Sequence, residues 1–402
     1  MNQATGGQVT ADTLLDKVTR ELGLTDFGDD RYVGEYKRAI DAINEEVALT
    51  PMGVAILEEW IQRTLTNVLR MQRDLKAHPE IHDEVLAPPI VISGFARTGT
   101  TKLQRLISAS PATQSLQLWK LLNPAPFDDT SPAADPTNPT IGPDPRIAFA
   151  QEAARMAQQA FPDMWAAHPT PALDAEEDFL LHDMTFIAPT DGMRCGAARL
   201  MEALTPMDIR VYEFLRTVLK YLQWQDRSPN RASRPWVLKS PIHIGNVSTL
   251  LQVFPGARFV FCHRDVEVAM ASLCSLDEIA RRMLTDKVDR KTLGNEVLEY
   301  WAREWNRNLQ QRAQLDPHSF CDIMFDDINR DGIAVAEKVH AFAGLKFDDA
   351  AKKATADWET ANPRHHGGKH EYRLETYGLT GQRVREAYAA YYNYFAGTGI
   401  VG

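Results

Sequence analysis

The run Ile90-Val91-Ile92-Ser93-Gly94, passing directly into Phe95-Ala96-Arg97-Thr98-Gly99-Thr100-Thr101, constrains this chain more than any other stretch. Three consecutive apolar residues without polar alternation need cover on both faces, as in a parallel sheet flanked by helices. The strand runs into glycine and then into a helical pattern over Lys102–Ser108. Gly94 and Gly99 stand at the first and sixth positions of a frame in which backbone N–H groups and a helix N-terminus cradle a phosphate. The seventh position is a lysine where that frame handles a γ-phosphate; here it is Thr100. Positive charge lies inside the loop as Arg97, and Thr100 and Thr101 add hydroxyls. The loop suits an anion, and a nucleotide whose phosphate chain ends early fits it better than a triphosphate.

Further strands are expected at Trp236–Leu238, Arg258–Cys262 and Phe320–Phe325. Helical spacing marks Leu14–Leu22, Val33–Val47, Met52–Leu75, most of 147–225, Asn246–Val253, Asn295–Gln314, Ile333–Ala343, Asp349–Thr360 and Gln382–Phe395. Strands alternating with helices mean an α/β fold, a P-loop-like parallel sheet of about four or five strands flanked by helices. Residues 1–87 read as a helical N-terminal extension and 88–402 as the main domain. Seven prolines within 124–146 exclude a helix or central strand there, and 124–210 reads as an insertion beside the site.

Charge narrows the partners. With 44 Lys and Arg against 54 Asp and Glu the chain carries −10, which argues against a protein that grips long nucleic acid. No apolar run approaches the roughly 20 residues of a membrane span. The first residues, Met1–Gln8, lack the basic and apolar regions of a secretory signal. Cys195, Cys262, Cys274 and Cys321 are scattered, as expected of reduced, buried thiols in a cytoplasmic protein. Dimerisation through helical faces is compatible with the pattern without being required by it.

A second anion clasp follows the strand Arg258–Cys262. Arg264 stands at the strand's C-terminal end, where open parallel sheets bind ligands, and Ser272 lies eight residues on, about two helical turns further along a similar face. Lys239-Ser240-Pro241 ends another strand and aims an ammonium at the same cleft.

Taken together, Gly94–Thr101, Lys239-Ser240-Pro241 and Arg264 with Ser272 resemble the sulfotransferases that use 3′-phosphoadenosine 5′-phosphosulfate (PAPS), in the bacterial and tyrosylprotein branch. Gly23–Gly28, Phe325–Ile328 and Lys369–Leu379 carry the likeness over most of the chain. The resemblance implies PAPS as co-substrate, PAP as product and no required metal. It implies that Arg97, Thr98, Gly99, Thr100, Thr101 and Lys239 meet the 5′-phosphosulfate, and that Arg264 and Ser272 meet the 3′-phosphate. Lys239, with Arg97, would stabilise the sulfuryl group in transfer.

The general base is less determined. Cytosolic members of the family place a histidine two residues after the lysine, where this chain has Pro241. His243 is the nearest replacement, since an imidazole takes a proton at neutral pH. Other members resemble one another in a glutamate downstream of the phosphate loop, where Trp119-Lys120 stands here. His243 is therefore the expected base, and Glu177 of Glu176-Glu177-Asp178 the next candidate.

Six of the twelve methionines (Met156, Met164, Met184, Met193, Met201, Met207), with Phe161, Trp165, Phe179 and Phe186, lie between the loop and Lys239. Thioethers and aromatics suit an adaptable apolar pocket, and equally a helical core. A small hydrophobic alcohol or phenol is the expected acceptor. His365, His366 and His370 lack matched carboxylate or cysteine spacing for a metal. Two other functions share the loop: a P-loop phosphotransferase, disfavoured by the missing lysine, and a non-catalytic nucleotide-binding protein, disfavoured by the retained Lys239.

Overall fold

The computed structural model describes residues 7–127, 144–226, 228–362 and 373–401. Five parallel strands form one sheet: β1 (Ile90–Gly94), β2 (Gln114–Ser115), β3 (Trp236–Lys239), β4 (Arg258–His263) and β5 (Phe320–Met324). They lie in the order β2-β3-β1-β4-β5, so β1 is central, with Ile92 opposite both Lys239 and Val260. Every residue of β1 is buried. Alternate side chains feed two cores: Ile90, Ile92, Val237 and Val260 meet Leu103, Ile107 and Val339 on one face, whereas Val91, Leu238, Phe259 and Phe261 join the larger core on the other. Full burial of such a side chain contributes roughly 1.5–3 kcal/mol, so the unbroken apolar run is what places this strand in the middle.

Three helices, α1 (Ala11–Leu22), α2 (Tyr32–Glu46) and α3 (Pro51–Ala77), precede the sheet. Thr50 caps α3, accepting the Gly53 N–H, with Pro51 in the first turn where its missing N–H costs nothing. Leu14 and Val18 bury one side of α1, and the larger core is continuous from Val9 to Phe395. The Tyr32 hydroxyl donates to the Met184 carbonyl at 2.9 Å, and Glu46 accepts the Arg199 and Leu200 N–H groups, so these helices are fastened to the middle of the chain. No helix among the described residues is long and apolar enough to cross a membrane. All four cysteines are buried, and none forms a disulfide.

Three expectations shift. The stretch 147–225 is not continuously helical: Pro162, Pro169 and Pro171 break it, and residues 168–178 are irregular, with turns and one isolated bridge, before Ile209–Gln225 resumes a long helix. The helix expected over Gln382–Phe395 is two, Gly381–Ala387 and Ala389–Tyr394, parted at the buried Tyr388. Strand β5 stops at Met324, because Phe325 already begins a helix. Residues 128–143 of the proline-rich run and His365, His366 and His370 lie outside the described residues.

Candidate active site at the carboxyl edge of the sheet

Between β1 and the next helix, α4 (Thr100–Ser108), the loop folds back on itself. Gly94 has φ +130°, and a Cβ there would stand 2.4 Å from the Cys262 carbonyl oxygen of the adjacent strand. Gly99, at φ +85°, caps α4 in the left-handed region. Buried Phe95 anchors the loop against Trp301, Trp305 and Tyr388, and the Thr98 hydroxyl donates to the Phe95 carbonyl at 2.6 Å. The first-turn N–H groups of α4 have no partner inside the helix and carry its positive dipole end toward the loop.

Arg97 is the strained member, a non-glycine residue at φ +72°, a conformation costing about 1–2 kcal/mol. Three contacts hold it. Its Nη1 donates to the Ala167 carbonyl at 2.7 Å, its Nε donates to Ser272 Oγ at 3.2 Å, and its own carbonyl accepts from Arg264 Nη1 at 3.0 Å. Arg264 lies over the Phe325 ring with its guanidinium 4.2 Å from the centroid. Burial and the neighbouring Arg97 guanidinium both push Arg264 below the usual arginine range. Among the described residues neither guanidinium has a carboxylate within 4 Å. Arg97, Arg264 and Ser272, 175 residues apart at the extremes, thus meet as a cationic cluster, with Asp326 and Asp265 acting on Arg264 only from farther off.

Lys239 closes β3 on the other side of the loop. Its side chain is 1% exposed, and its ammonium donates to Thr101 Oγ1 at 3.1 Å and pairs with the Glu177 carboxylate, itself 14% exposed. Glu177 reaches it because α4 grips the irregular stretch 168–178. Gln104 Nε2 donates to the Glu176 carbonyl, and Arg105 donates to the Ala175 carbonyl and to Glu176 Oε2. Gln117 and Ala175 add an isolated bridge. Burial raises the Glu176 carboxyl, but His168 at 2.9 Å, Lys239 and Arg105 outweigh it and hold the group below the ordinary carboxylate range.

His243 lies behind this pair, fully buried, with both ring nitrogens engaged: Nε2 with Asp178 Oδ2 at 3.1 Å and Nδ1 with the Tyr212 hydroxyl at 3.0 Å. Asp178 Oδ2 also accepts the Lys239 backbone N–H at 3.1 Å, while the Asp178 N–H donates to the Lys239 carbonyl. Burial opposes the Asp178 charge, but His243, His182 and Lys239 prevail and hold the carboxyl below its usual value. Burial holds His182 down at about 4, so it is neutral at physiological pH.

The structure therefore brings Arg97, Thr98, Gly99, Thr100, Thr101, Lys239, Arg264 and Ser272 to one edge of the sheet and adds Glu177. His243 stands in the layer beneath, sealed from any incoming hydroxyl. Lys120 is elsewhere: it lies over the rings of Trp119 and Trp236, at the opposite end of β3 from Lys239. Met184, Met201 and Met207 are buried in the main core with Phe186, and so pack the fold rather than line an open cleft, while Met156 is exposed. Asp178 was recognisable in sequence only as an acid beside Glu177; its clamp on Lys239 depends on tertiary contacts. His168, Glu176 and Glu177 present ligand atoms within 4.8 Å of one another. Arg105 and Lys239 already occupy those carboxylates, which suits an ion-pair network better than a cation site.

Residues 88–349 match the family described as "Sulfotransferase family". The omega-hydroxy-beta-dihydromenaquinone-9 sulfotransferase Stf3 of Mycobacterium bovis is 24% identical over 271 residues, covering 64% of this chain and 63% of that protein. Its namesake in Mycobacterium tuberculosis gives the same figures. The match thus spans somewhat less than two thirds of those relatives' length. Sulfotransferase STF9 from Mycobacterium avium shares the fold, with a TM-score of 0.83 at 24% identity, over 96% of this chain and 97% of that one. Sulfotransferase STF1 from Mycobacterium tuberculosis superposes with a TM-score of 0.75 at 26% identity, over 97% and 100%.

Proposed function

This chain belongs to the sulfotransferase family, and on that premise we propose that it transfers the sulfuryl group of PAPS to the hydroxyl of a small hydrophobic alcohol or phenol. The observation that carries the reading is the cationic cluster at the carboxyl edge: two guanidiniums without carboxylate partners, a lysine at a strand end, and a phosphate-type loop between them. Such a donor set fits a ligand with two separated anionic groups. In this reading the α4 N-terminus, Thr100 and Thr101 hold the 5′-phosphosulfate, and Arg264 with Ser272 holds the 3′-phosphate. The name of the Stf3 relatives, omega-hydroxy-beta-dihydromenaquinone-9 sulfotransferase, supports a hydroxyl-bearing small molecule as the acceptor class.

Glu177 replaces His243 as the base in this proposal. Its carboxylate is partly exposed beside Lys239, whereas both ring nitrogens of the buried His243 are engaged, by Asp178 and by Tyr212. The acceptor oxygen forms its bond to sulfur as the sulfur–oxygen bond to PAP breaks. Lys239 stabilises the charge gathering on the leaving phosphate oxygen, Arg97 the sulfuryl oxygens, and Glu177 receives the acceptor proton.

The test is thermal denaturation of the full chain with PAP, ADP and Mg·ATP, followed by transfer from [35S]PAPS to 4-nitrophenol, 2-naphthol and farnesol. Saturation at about 100 times the dissociation constant adds roughly 2.7 kcal/mol. A shift with PAP exceeding that with ADP, together with labelled product, is expected. A shift with Mg·ATP alone would replace the reading with a phosphotransferase, and PAP binding without transfer to any acceptor would favour a non-catalytic nucleotide-binding protein.

A further inference from the structure

The sheet leaves a gap beside Lys239 that the chain fills in an unusual way. Strand β2 pairs Gln114 with Trp236 and Ser115 with Val237, then stops two residues short of Lys239. The Lys239 N–H and C=O on that flank would lack a ladder partner in the interior, which a buried backbone rarely tolerates. Asp178 supplies both missing bonds: its carboxylate accepts the Lys239 N–H and its own N–H donates to the Lys239 carbonyl, each at 3.1 Å. Because Glu177 immediately precedes Asp178, the same clamp sets Glu177 against the Lys239 ammonium.

A carboxylate without solvent exposure must find further donors, and His243 provides one. The proton positions follow from the partners. Asp178, held as a carboxylate, can only accept, so the facing Nε2 carries a hydrogen, and the neutral ring accepts at Nδ1 from the Tyr212 hydroxyl, which burial keeps protonated. His243 then carries its hydrogen on Nε2 and donates it to Asp178. Each of the three side chains meets the next within hydrogen-bond distance, and none opens to the cleft.

We propose that Tyr212, His243 and Asp178 are positioning residues for sulfuryl transfer, a buried chain of hydrogen bonds that fixes the Lys239 backbone and thereby aligns Lys239 with Glu177. This rests on the sulfotransferase reading above. The chain substitutes for the pairing that the β2–β3 ladder lacks at Lys239 and turns a strand end, ordinarily free to fray, into a fixed mount for two side chains that touch substrate. Misplacement of reacting groups by about 1 Å costs on the order of 10²-fold in rate, so loosening this mount lowers kcat while leaving the anion clasp around Arg264 intact.

The discriminating variants are His243→Gln, His243→Ala and Tyr212→Phe in the full chain. They are read by kcat for transfer from [35S]PAPS to 2-naphthol, by PAP affinity from calorimetry, and by the 15N spectrum of histidine-labelled protein. A glutamine Nε2–H can still donate to Asp178, so His243→Gln keeps kcat within about fivefold, whereas His243→Ala loses about 10²-fold and Tyr212→Phe falls between. PAP affinity stays within about threefold in all three, since the proposed phosphate clasp touches none of them. If His243→Gln were as inactive as His243→Ala at undiminished PAP affinity, His243 would be the base and the positioning role would fall. Wild-type kcat in His243→Ala would overturn it as well. The 15N spectrum decides independently of turnover: the expected His243 tautomer bears its proton on Nε2, and a proton on Nδ1 would refute the chain. Should the wild type bind PAP yet sulfate no acceptor, the reading of the function fails, and the tautomer still settles whether the hydrogen-bond chain exists.

Discussion

The Lys239–Glu177 pair offers a test that needs no knowledge of the acceptor. Glu177→Gln would strand an ammonium whose side chain is 1% exposed, leaving Thr101 and an amide oxygen to solvate it. Lys239→Met would strand the Glu177 carboxylate next to the Glu176 carboxylate, although 14% exposure gives it some water. Removing one partner of a buried pair costs about 3–5 kcal/mol, and the exposure of Glu177 puts Lys239→Met at the lower end. The double variant leaves an amide and a thioether of similar bulk and no stranded charge, so its cost is only about 1–2 kcal/mol. The coupling is therefore several kcal/mol, far above the roughly 0.5 kcal/mol within which independent sites add. Urea denaturation of wild type, both single variants and the double variant, followed by tryptophan fluorescence, measures it. If the double variant lost as much as the two single variants together, the two groups would not be paired in solution. The alignment of lysine and carboxylate would then be lost as a basis for the mechanism.

Arg264→Ala should weaken PAP by about 1.5–3 kcal/mol, the worth of a charge-assisted contact, while ADP, lacking the 3′-phosphate, changes little; equal losses for both ligands by calorimetry would place the clasp elsewhere. Gly94→Ala should destabilise by more than about 2 kcal/mol and abolish PAP binding, because the new Cβ meets the Cys262 carbonyl at 2.4 Å in a backbone region that alanine avoids; wild-type urea stability would refute this. Burial holds the Lys120 amine down at about 8. Between that value and the unfolded value of about 10.4 the unfolded chain binds more protons, so stability rises with pH across that window. Lys120→Met should therefore stabilise the protein at pH 7 by about 1–3 kcal/mol and by much less at pH 10; an equal effect at both pH values would contradict a desolvated amine.

What could be read in the sequence is what local pattern encodes. The apolar run Ile90–Ile92, the glycine spacing and the helix after Thr101 follow from short-range rules, and they carry the sheet's centre and the loop together. Lys239 and Arg264 were legible because a polar residue just past a buried strand has only the carboxyl edge to occupy. The course of the irregular stretch 168–178 was not legible. Its prolines argued against helix, but its course is set by Gln104 and Arg105 on α4 and by the bridge from Gln117, none of them neighbours in sequence. The same distance hid the part His243 plays. Its residue type and its place after Lys239 suggested a base, whereas its burial depends on Tyr212 from one direction and Asp178 from the other.

The strand order has a consequence for how the chain is made. Strand β1 ends at Gly94, and its neighbours β3 and β4 begin at Trp236 and Arg258, so about 140 residues lie between it and its first partner. At about 5–20 residues per second that is roughly 7–30 s of synthesis. Throughout that interval both edges of β1 stay unpaired, and α1, α2, α3 and α4, complete early in it, can cover its faces but cannot hydrogen-bond either edge. A nascent chain of this topology exposes the edges of its central strand early and pairs them late, which makes the pace of translation between Gly94 and Trp236, and the chaperones acting in that window, determinants of the yield of folded protein.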